Sequence, residues 1–561
     1  MVKKSYNMCN LLKFLALIAL LHASNLYAIT LEQGLEENLK LDRQNANTER
    51  LANITQFLKK LKSPPKISGK FKKEEKCIDI HTINVGASLI DNKTINAAVE
   101  PFTNRCLGRV NIDNIIKLLN QLYFNHGYIT TRAYLPKQKT SQGILKLIII
   151  EGKINTLSSD NKNLYLNNLF SDKPESYLNI RNLEQGTDQI NRLEGYQSKA
   201  DIKPTSKIGY SDIIIKSTHK KNIYFRSGFD NSGSESTGEI VANIGTSINN
   251  LVGINDQLMI DLRSNSNPDE GKKLNRTISL SYDVPYIDWN FGTRLNETKN
   301  VSLINNNILI NNQSIATQLR NINSNIEIYA KKNIYRDESK KISFNISWHK
   351  KDKVSQVNKA NIKVSTYTRN HLAVGINLSK KTKENSDYSL DFKIKHGLGS
   401  KVVFHNNNGE ITPTPKSFPG RHFTIYKIGG SYNTTLANKI NLKLAFDSQY
   451  SDDILFGGEM FQIGGVGSVR GHSNIAISGA KGAYFRSTFS FTKLSPSDPQ
   501  FYLLYDIGYI FSGKRTDGGR LDGKGVGVKL NIFNQKLSLE YGENHTRKRD
   551  HAFSVSFNAS F

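Results

Sequence analysis

The chain has 561 residues, 22% of them charged and 38% hydrophobic, with a formal net charge of +27. Its length excludes a single small domain. The basic excess does not read as a nucleic-acid signal, because the lysines are spread through the chain with no basic aromatic cluster of the kind that grips single strands.

Residues 1–28 have the pattern of a secretory signal peptide: Lys3, Lys4 and Lys13 supply the positive region, Leu11 to Leu21 the apolar run, and Ala28 a small residue for cleavage. Cys9 precedes the apolar core and carries no structural weight. Beyond Ala28 no apolar run reaches the ~18 residues of a transmembrane helix, so the exported chain is either soluble or embedded as a β-barrel. Residues 29–62 place Leu31, Leu35 and Leu39, then Leu51, Ile54, Leu58 and Leu61 at helical spacing, as one long amphipathic helix or two short ones. Pro64, Pro65, Gly69 and several lysines make residues 63–76 a linker.

Residues 77–154 predict strand, helix, helix, strand, strand. The stronger helix carries Ile112, Ile115, Ile116, Leu119 and Leu122 inward and ends at Gly127. Residues 155–219 repeat the plan more loosely, with a helix through "LEQGTDQINRLEG" and a closing strand "SDIIIKS". Two tandem α+β modules without a catalytic triad or metal cluster read as binding modules. Cys77 and Cys106, in a chain bound for an oxidising compartment, most economically form a disulfide, with two free thiols as the alternative.

From residue 220 to 561 short alternating segments recur, such as Ile342, Phe344, Ile346 and Trp348 on one side with Ser, Asn and Lys on the other. Alternation over ~10 residues between Asn, Gly and Asp turns is the pattern of a transmembrane β-barrel, and about 16 strands fit the length. A soluble sandwich would also alternate, but this tract is long for one. The last strand keeps Phe553, Val555, Phe557, Ala559 and Phe561 in phase. Within the tract, "GGVGSVRGHSNIAISGAKG" (464–482) is a glycine-rich loop with one arginine, Arg470, at its centre, and "YLLYDIGYI" is a later strand carrying Asp506.

These segments together resemble the outer-membrane transporters of two-partner secretion, the TpsB family of the Omp85 superfamily, with its haemolysin and filamentous-haemagglutinin secretion proteins. "CLGRVNIDNIIKLLNQLYFNHGYITTRAYLP" with "GILKLIIIEGKI" is similar to the family's first POTRA domain; "LEQGTDQINRLEG" and "GYSDIIIK" are similar to the second. "FQIGGVGSVRGH" resembles the loop-6 motif, with Val469, Arg470 and Gly471 in place and His472 where an aromatic ring is usual. Asp506 and Gly508 resemble the later strand motif, with Leu504 in its usual aromatic position. The resemblance implies a mixed fold: an N-terminal plug helix (29–62), two periplasmic α+β POTRA domains (77–154 and 155–219) and an antiparallel outer-membrane barrel (220–561), with loop 6 folded inward to bring Arg470 to Asp506. It also implies export of a large TpsA exoprotein, unfolded and without ATP, with room for activation of a haemolysin client in transit. The partners it implies are that exoprotein, outer-membrane lipid and lipopolysaccharide, and the barrel-assembly machinery during biogenesis, with no nucleic acid. It implies no cofactor, no metal and no enzymatic activity. An assembly factor of the same superfamily is the alternative, and two modules rather than a longer array argue against it.

Overall fold

A computed structural model describes residues 71–561, apart from residues 87, 140–141, 220, 311–312, 338, 362–365, 383–385, 402–403, 406–410, 413–421, 438, 473–475, 492–494, 496–497, 514–516, 533–534 and 545–550. The signal peptide, the plug helix and most of the linker lie outside the described residues. The chain divides into two units, one holding the tandem modules and the other the barrel.

In the first module, β1 (Ile78–Ile80) pairs with β3 (Arg105–Leu107), and β2 (Thr82–Gly86), β4 (Arg132–Tyr134) and β5 (Ile144–Ile150) form a sheet of order β2-β5-β4. β2 runs parallel to β5 and β4 antiparallel to it. Helices α1 (Asn92–Val99) and α2 (Arg109–Asn125) are also part of this module. The fully buried stripe of α2 is Asn111, Ile115, Leu119 and Tyr123, whereas Ile112, Ile116 and Leu122 pack only at its margin. The predicted stripe is thus rotated, because a Tyr ring and an amide whose partners lie 37–39 residues upstream fill positions that hydrophobicity alone gives to isoleucine. Asn111 is satisfied by Lys72, whose carbonyl accepts from it at 2.6 Å and whose N–H donates to it at 3.0 Å.

Gly108, the residue before α2, has no side chain to cap the helix. The Glu74 carboxylate does so from 34 residues upstream, accepting the backbone N–H groups of Gly108, Val110 and Asn111 at 2.8–3.1 Å. These donors are the unpaired ones of a helix start, where negative charge is also favoured by the helix dipole. Cys77 and Cys106 are bonded, with Cα atoms 5.2 Å apart.

The second module has the same sheet plan in β6 (Lys153–Ser159), β7 (Gln197–Pro204) and β8 (Tyr210–Thr218), in order β6-β8-β7. Its helix α3 (Ile180–Asn191) starts three residues before the predicted "LEQGTDQINRLEG" segment, because Asn179 caps it by accepting the Arg181 N–H at 2.9 Å. The modules join at Gly127, whose carbonyl accepts the Ile180 N–H at 2.9 Å. Gly127 has φ +90°, and a Cβ there would stand 2.3 Å from the Asn179 side-chain oxygen.

The barrel closes through sixteen long strands among the described residues. They are β9 (Ile223–Asp230), β10 (Val241–Asn249), β11 (Gln257–Asn265), β12 (Leu274–Tyr286), β13 (Trp289–Ile310), β14 (Gln313–Arg336), β15 (Lys340–Val357), β16 (Tyr367–Lys381), β17 (Asp387–Lys401), β18 (Thr424–Leu436), β19 (Ile440–Tyr450), β20 (Gly482–Phe491), β21 (Gln500–Ile510), β22 (Gly519–Ile532), β23 (Gln535–Glu543) and β24 (His551–Ser560). All neighbours are antiparallel, and β24 returns to pair with β9. Phe225, Phe229, Ile244, Leu262, Ile278 and Phe291 are exposed on the outer face, as a lipid-facing wall requires. The alternation places Lys351, Lys353, Arg369, Lys393, Lys395 and Lys427 on the inner face. Part of the net positive charge is therefore concentrated on one side of the lumen wall, where the sequence showed only scattered lysines. β13 and β14, at 22 and 24 residues, exceed the ~10 residues that cross a bilayer.

Candidate functional site

Between β19 and β20 the chain turns into the barrel. Phe461–Ile463 and Ile477–Gly479 form a short antiparallel ribbon that carries the glycine-rich loop at its end. Val469 is fully buried with Phe461, Ile463, Tyr484, Ile510 and Leu521, so an apolar plug precedes the arginine.

Arg470 and Asp506 meet as a fork. Nε donates to one carboxylate oxygen at 2.7 Å and Nη2 to the other at 2.8 Å, while the Arg470 backbone N–H adds a third bond at 3.1 Å. Asp506 is wholly buried and Arg470 nearly so. The remaining guanidinium donors reach the Ser487 carbonyl at 3.1 Å, Thr488 Oγ1 at 3.2 Å and Glu540 at 3.4 Å. Tyr502 donates its hydroxyl to the same Glu540 carboxylate at 2.9 Å. Bidentate charge-assisted bonds of this kind fix orientation as well as adding energy. Arg486, beside Asp506 on the neighbouring strand, donates to the Gly467 carbonyl at 2.9 Å and lies 3.9 Å from the Asp506 carboxylate.

The alternation of β21 explains Asp506: Phe501, Leu503, Tyr505 and Tyr509 are exposed on the outer face, and Tyr502, Leu504, Asp506 and Ile510 are buried inside. His472 sits in an aromatic's usual place as a hydrogen-bonding residue. Its Nε2 donates to the Asp522 carbonyl at 3.0 Å and its Nδ1 accepts from the Asn544 amide at 3.2 Å.

The wall beneath the tip is paved with glycine. A Cβ on Gly523 would stand 1.7 Å from the Arg470 carbonyl oxygen, one on Gly542 2.8 Å from Gly471 Cα, and one on Gly508 2.8 Å from Val469. Gly471 itself has φ +90° and faces the Glu543 backbone. Backbone thus lies directly on backbone, which no side chain on either surface would allow.

Sequence reasoning named Val469, Arg470, Gly471, His472, Asp506 and Gly508, and the structure brings all six into one contact region. It missed Glu540, Tyr502, Thr488 and the glycines of β22 and β23. The alternate glycines of "GKGVGV" (523–528) were a usable signal, since small residues at a spacing of two mark one face of a strand.

The family description "Haemolysin secretion/activation protein ShlB/FhaC/HecB" matches residues 209–530, "POTRA domain, ShlB-type" matches residues 78–152, and "POTRA domain" matches residues 153–204. The outer membrane transporter CdiB of Dickeya dadantii is 26% identical over 477 residues, covering 83% of this chain and 82% of that protein. The hemolysin transporter protein HpmB of Proteus mirabilis is 23% identical over 481 residues, covering 83% and 81%. Among solved structures, CdiB from Escherichia coli has the same fold, with a TM-score of 0.84 at 21% identity over 94% of this chain and 98% of that one.

Proposed function

Because the chain belongs to the haemolysin secretion/activation family of ShlB, FhaC and HecB, a branch of the two-partner secretion transporters, we propose that it exports one large secreted partner protein across the outer membrane. Its barrel lies in that membrane and its POTRA domains in the periplasm. The observation that carries the reading is the loop tip seated inside the barrel by the Arg470–Asp506 fork, an internal element able to hold the lumen in one state and release it to another. The POTRA domains capture the partner's unfolded amino-terminal region. In support, β7 is an eight-residue edge of its sheet and Tyr134 and Ile148 expose apolar surface on the first domain. Edge-strand addition needs an open ladder and pockets for alternate side chains.

The partner passes extended and folds outside. Energy comes from that folding rather than from nucleotide hydrolysis, since the sequence holds no G-x-x-x-x-G-K-[ST] phosphate loop. A haemolysin client could be activated on the same route. Residues 29–62 serve as a plug that leaves the lumen for passage, and outer-membrane lipid, lipopolysaccharide and the barrel-assembly machinery are the remaining partners. The test is client release: the chain is expressed in a Gram-negative host with a candidate large exoprotein from the same genome, and that exoprotein is quantified in medium and periplasm with and without the chain. Release that depends on the chain supports dedicated export. No dependence, with loss of other outer-membrane proteins on depletion, would replace it with the assembly-factor reading.

A further inference from the structure

The loop that carries Arg470 is also held at its other end. Glu459 lies in the short turn Gly457–Glu459, between β19 and the ribbon, and its side chain is almost wholly buried. Three cations from three successive strands surround its carboxylate: Arg369 of β16 at 2.9 Å, Lys395 of β17 at 3.4 Å and Lys351 of β15 at 3.5 Å. The Glu459 carbonyl accepts the Gln449 side-chain amide at 2.8 Å. Just before it, Phe456 packs on Tyr367 with ring centroids 4.2 Å apart, and Leu455 is buried with Phe423 and Ile425. The root of the loop therefore rests on β15–β18, while its tip rests on β20–β23.

Three cations converging on one buried carboxylate are an unusual thing to build into a wall. Placed without Glu459, they would repel one another across a partly desolvated lumen, and a group that satisfies them must be anionic. We propose that Lys351, Arg369 and Lys395 form a carboxylate-binding site in the lumen wall, and that Glu459 occupies it as a second latch holding loop 6 at its root. The loop is then a two-ended strut, with an arginine on an aspartate at the tip and a glutamate in a cationic cage at the root. The inference needs only the barrel and its loop, so it stands apart from the identity of any exported partner.

The test is single-channel recording of the purified full chain in planar bilayers, with Glu459→Gln as the first variant. Glu459→Gln is expected to raise the occupancy of conducting states by about tenfold, equivalent to about 1.4 kcal/mol, with the heat-dependent electrophoretic shift of a folded barrel unchanged. Lys351→Gln and Lys395→Gln, which each leave two cations in place, should give smaller rises. Arg369→Gln combined with Glu459→Gln should add little to Glu459→Gln alone, because the Arg369 contact is already among those that Glu459→Gln removes. Arg470→Ala combined with Glu459→Gln should add fully, because tip and root are separate seats. A wild-type current from Glu459→Gln, or full additivity between Glu459→Gln and Arg369→Gln, would overturn the latch. If Glu459→Gln fails to fold, wild-type currents from folded Lys351→Gln and Lys395→Gln would overturn it equally.

Discussion

Replacing Arg470 with alanine removes two bonds to Asp506 together with those to Ser487, Thr488 and Glu540, while leaving the Asp506 carboxylate wholly buried. Breaking a buried pair by deleting one partner costs about 3–5 kcal/mol. Two features pull this case to the lower end: the residue-470 backbone N–H still reaches Asp506 at 3.1 Å, and Arg486 stands 3.9 Å away. A loss of about 3 kcal/mol shifts the ratio of seated to unseated tip by about two powers of ten. Arg470→Ala is accordingly predicted to lower the released client at least about tenfold, with the barrel still folded by its heat-dependent electrophoretic shift. The assay is client protein in medium against periplasm, normalised to the folded barrel. Arg470→Lys should behave nearly as badly, since an ammonium supplies charge without the two-pronged geometry. Normal release from Arg470→Ala, at wild-type barrel levels, would falsify a working role for the fork.

Gly523→Ala leaves every charge in place but puts a methyl 1.7 Å from the Arg470 carbonyl oxygen, so it should reproduce the Arg470→Ala release defect in the same assay. His472→Ala removes two hydrogen bonds of about 1 kcal/mol each; a rise in channel opening smaller than that of Arg470→Ala is expected in bilayer recordings. Cys77→Ser with Cys106→Ser opens a loop with a sequence separation of 29 and should cost the first POTRA domain about 3–4 kcal/mol, seen as faster cleavage there by a periplasmically added protease. Burial pushes the Glu151 carboxyl up, but hydrogen bonds from the Ser88 hydroxyl and the Ser88 and Leu89 N–H groups more than offset it and hold its pKa below the usual range. Its contribution to stability is therefore present near neutral pH and lost as pH falls through that lowered value. Thermal unfolding of Glu151→Gln and wild type should differ near neutral pH and approach each other as pH falls through the lowered carboxyl value; a gap that stays constant across the acid range would refute the assignment.

Much of the barrel is legible because its wall must satisfy lipid on one side and water on the other, and β21 writes both demands into alternate residues. The Arg470–Asp506 approach is legible through the resemblance of "FQIGGVGSVRGH" and "YLLYDIGYI" to the family's loop-6 and later strand motifs, and the alternation of β21 turns the aspartate inward. Glu540 and Glu459 were not, since their partners come from strands up to about a hundred residues away and no local spacing announces them. Glu74 illustrates the same limit: it stands among charged residues of a lysine-rich linker, yet it caps a helix 34 residues later. The rotated stripe of α2 has a different cause, since Tyr123 and Asn111 are buried through polar partners that a hydrophobicity pattern does not count.

The contacts of the loop tip also carry an order of events. Among the described residues, the hydrogen bonds and packing named above for Val469 to His472 fall between 461 and 544, so the tip can find its seat on a stretch of chain contiguous with itself. Ring closure is the opposite case: β9 must meet β24, pairing Arg226–Asp230 with Ser556–Ser560 across nearly the whole tract. Contacts distant in sequence form late, because their loop-closure entropy falls due before they reward it. We expect β20–β23 and the loop to become protected from proteolysis before the heat-stable ring appears during refolding, and simultaneous protection would count against this order. A chain stalled before His551 would then display a finished, loop-bearing sheet beside two unpaired edges, the kind of surface that recruits other strands. The ten residues of β24 that complete the ring are thereby also what hides it from its neighbours.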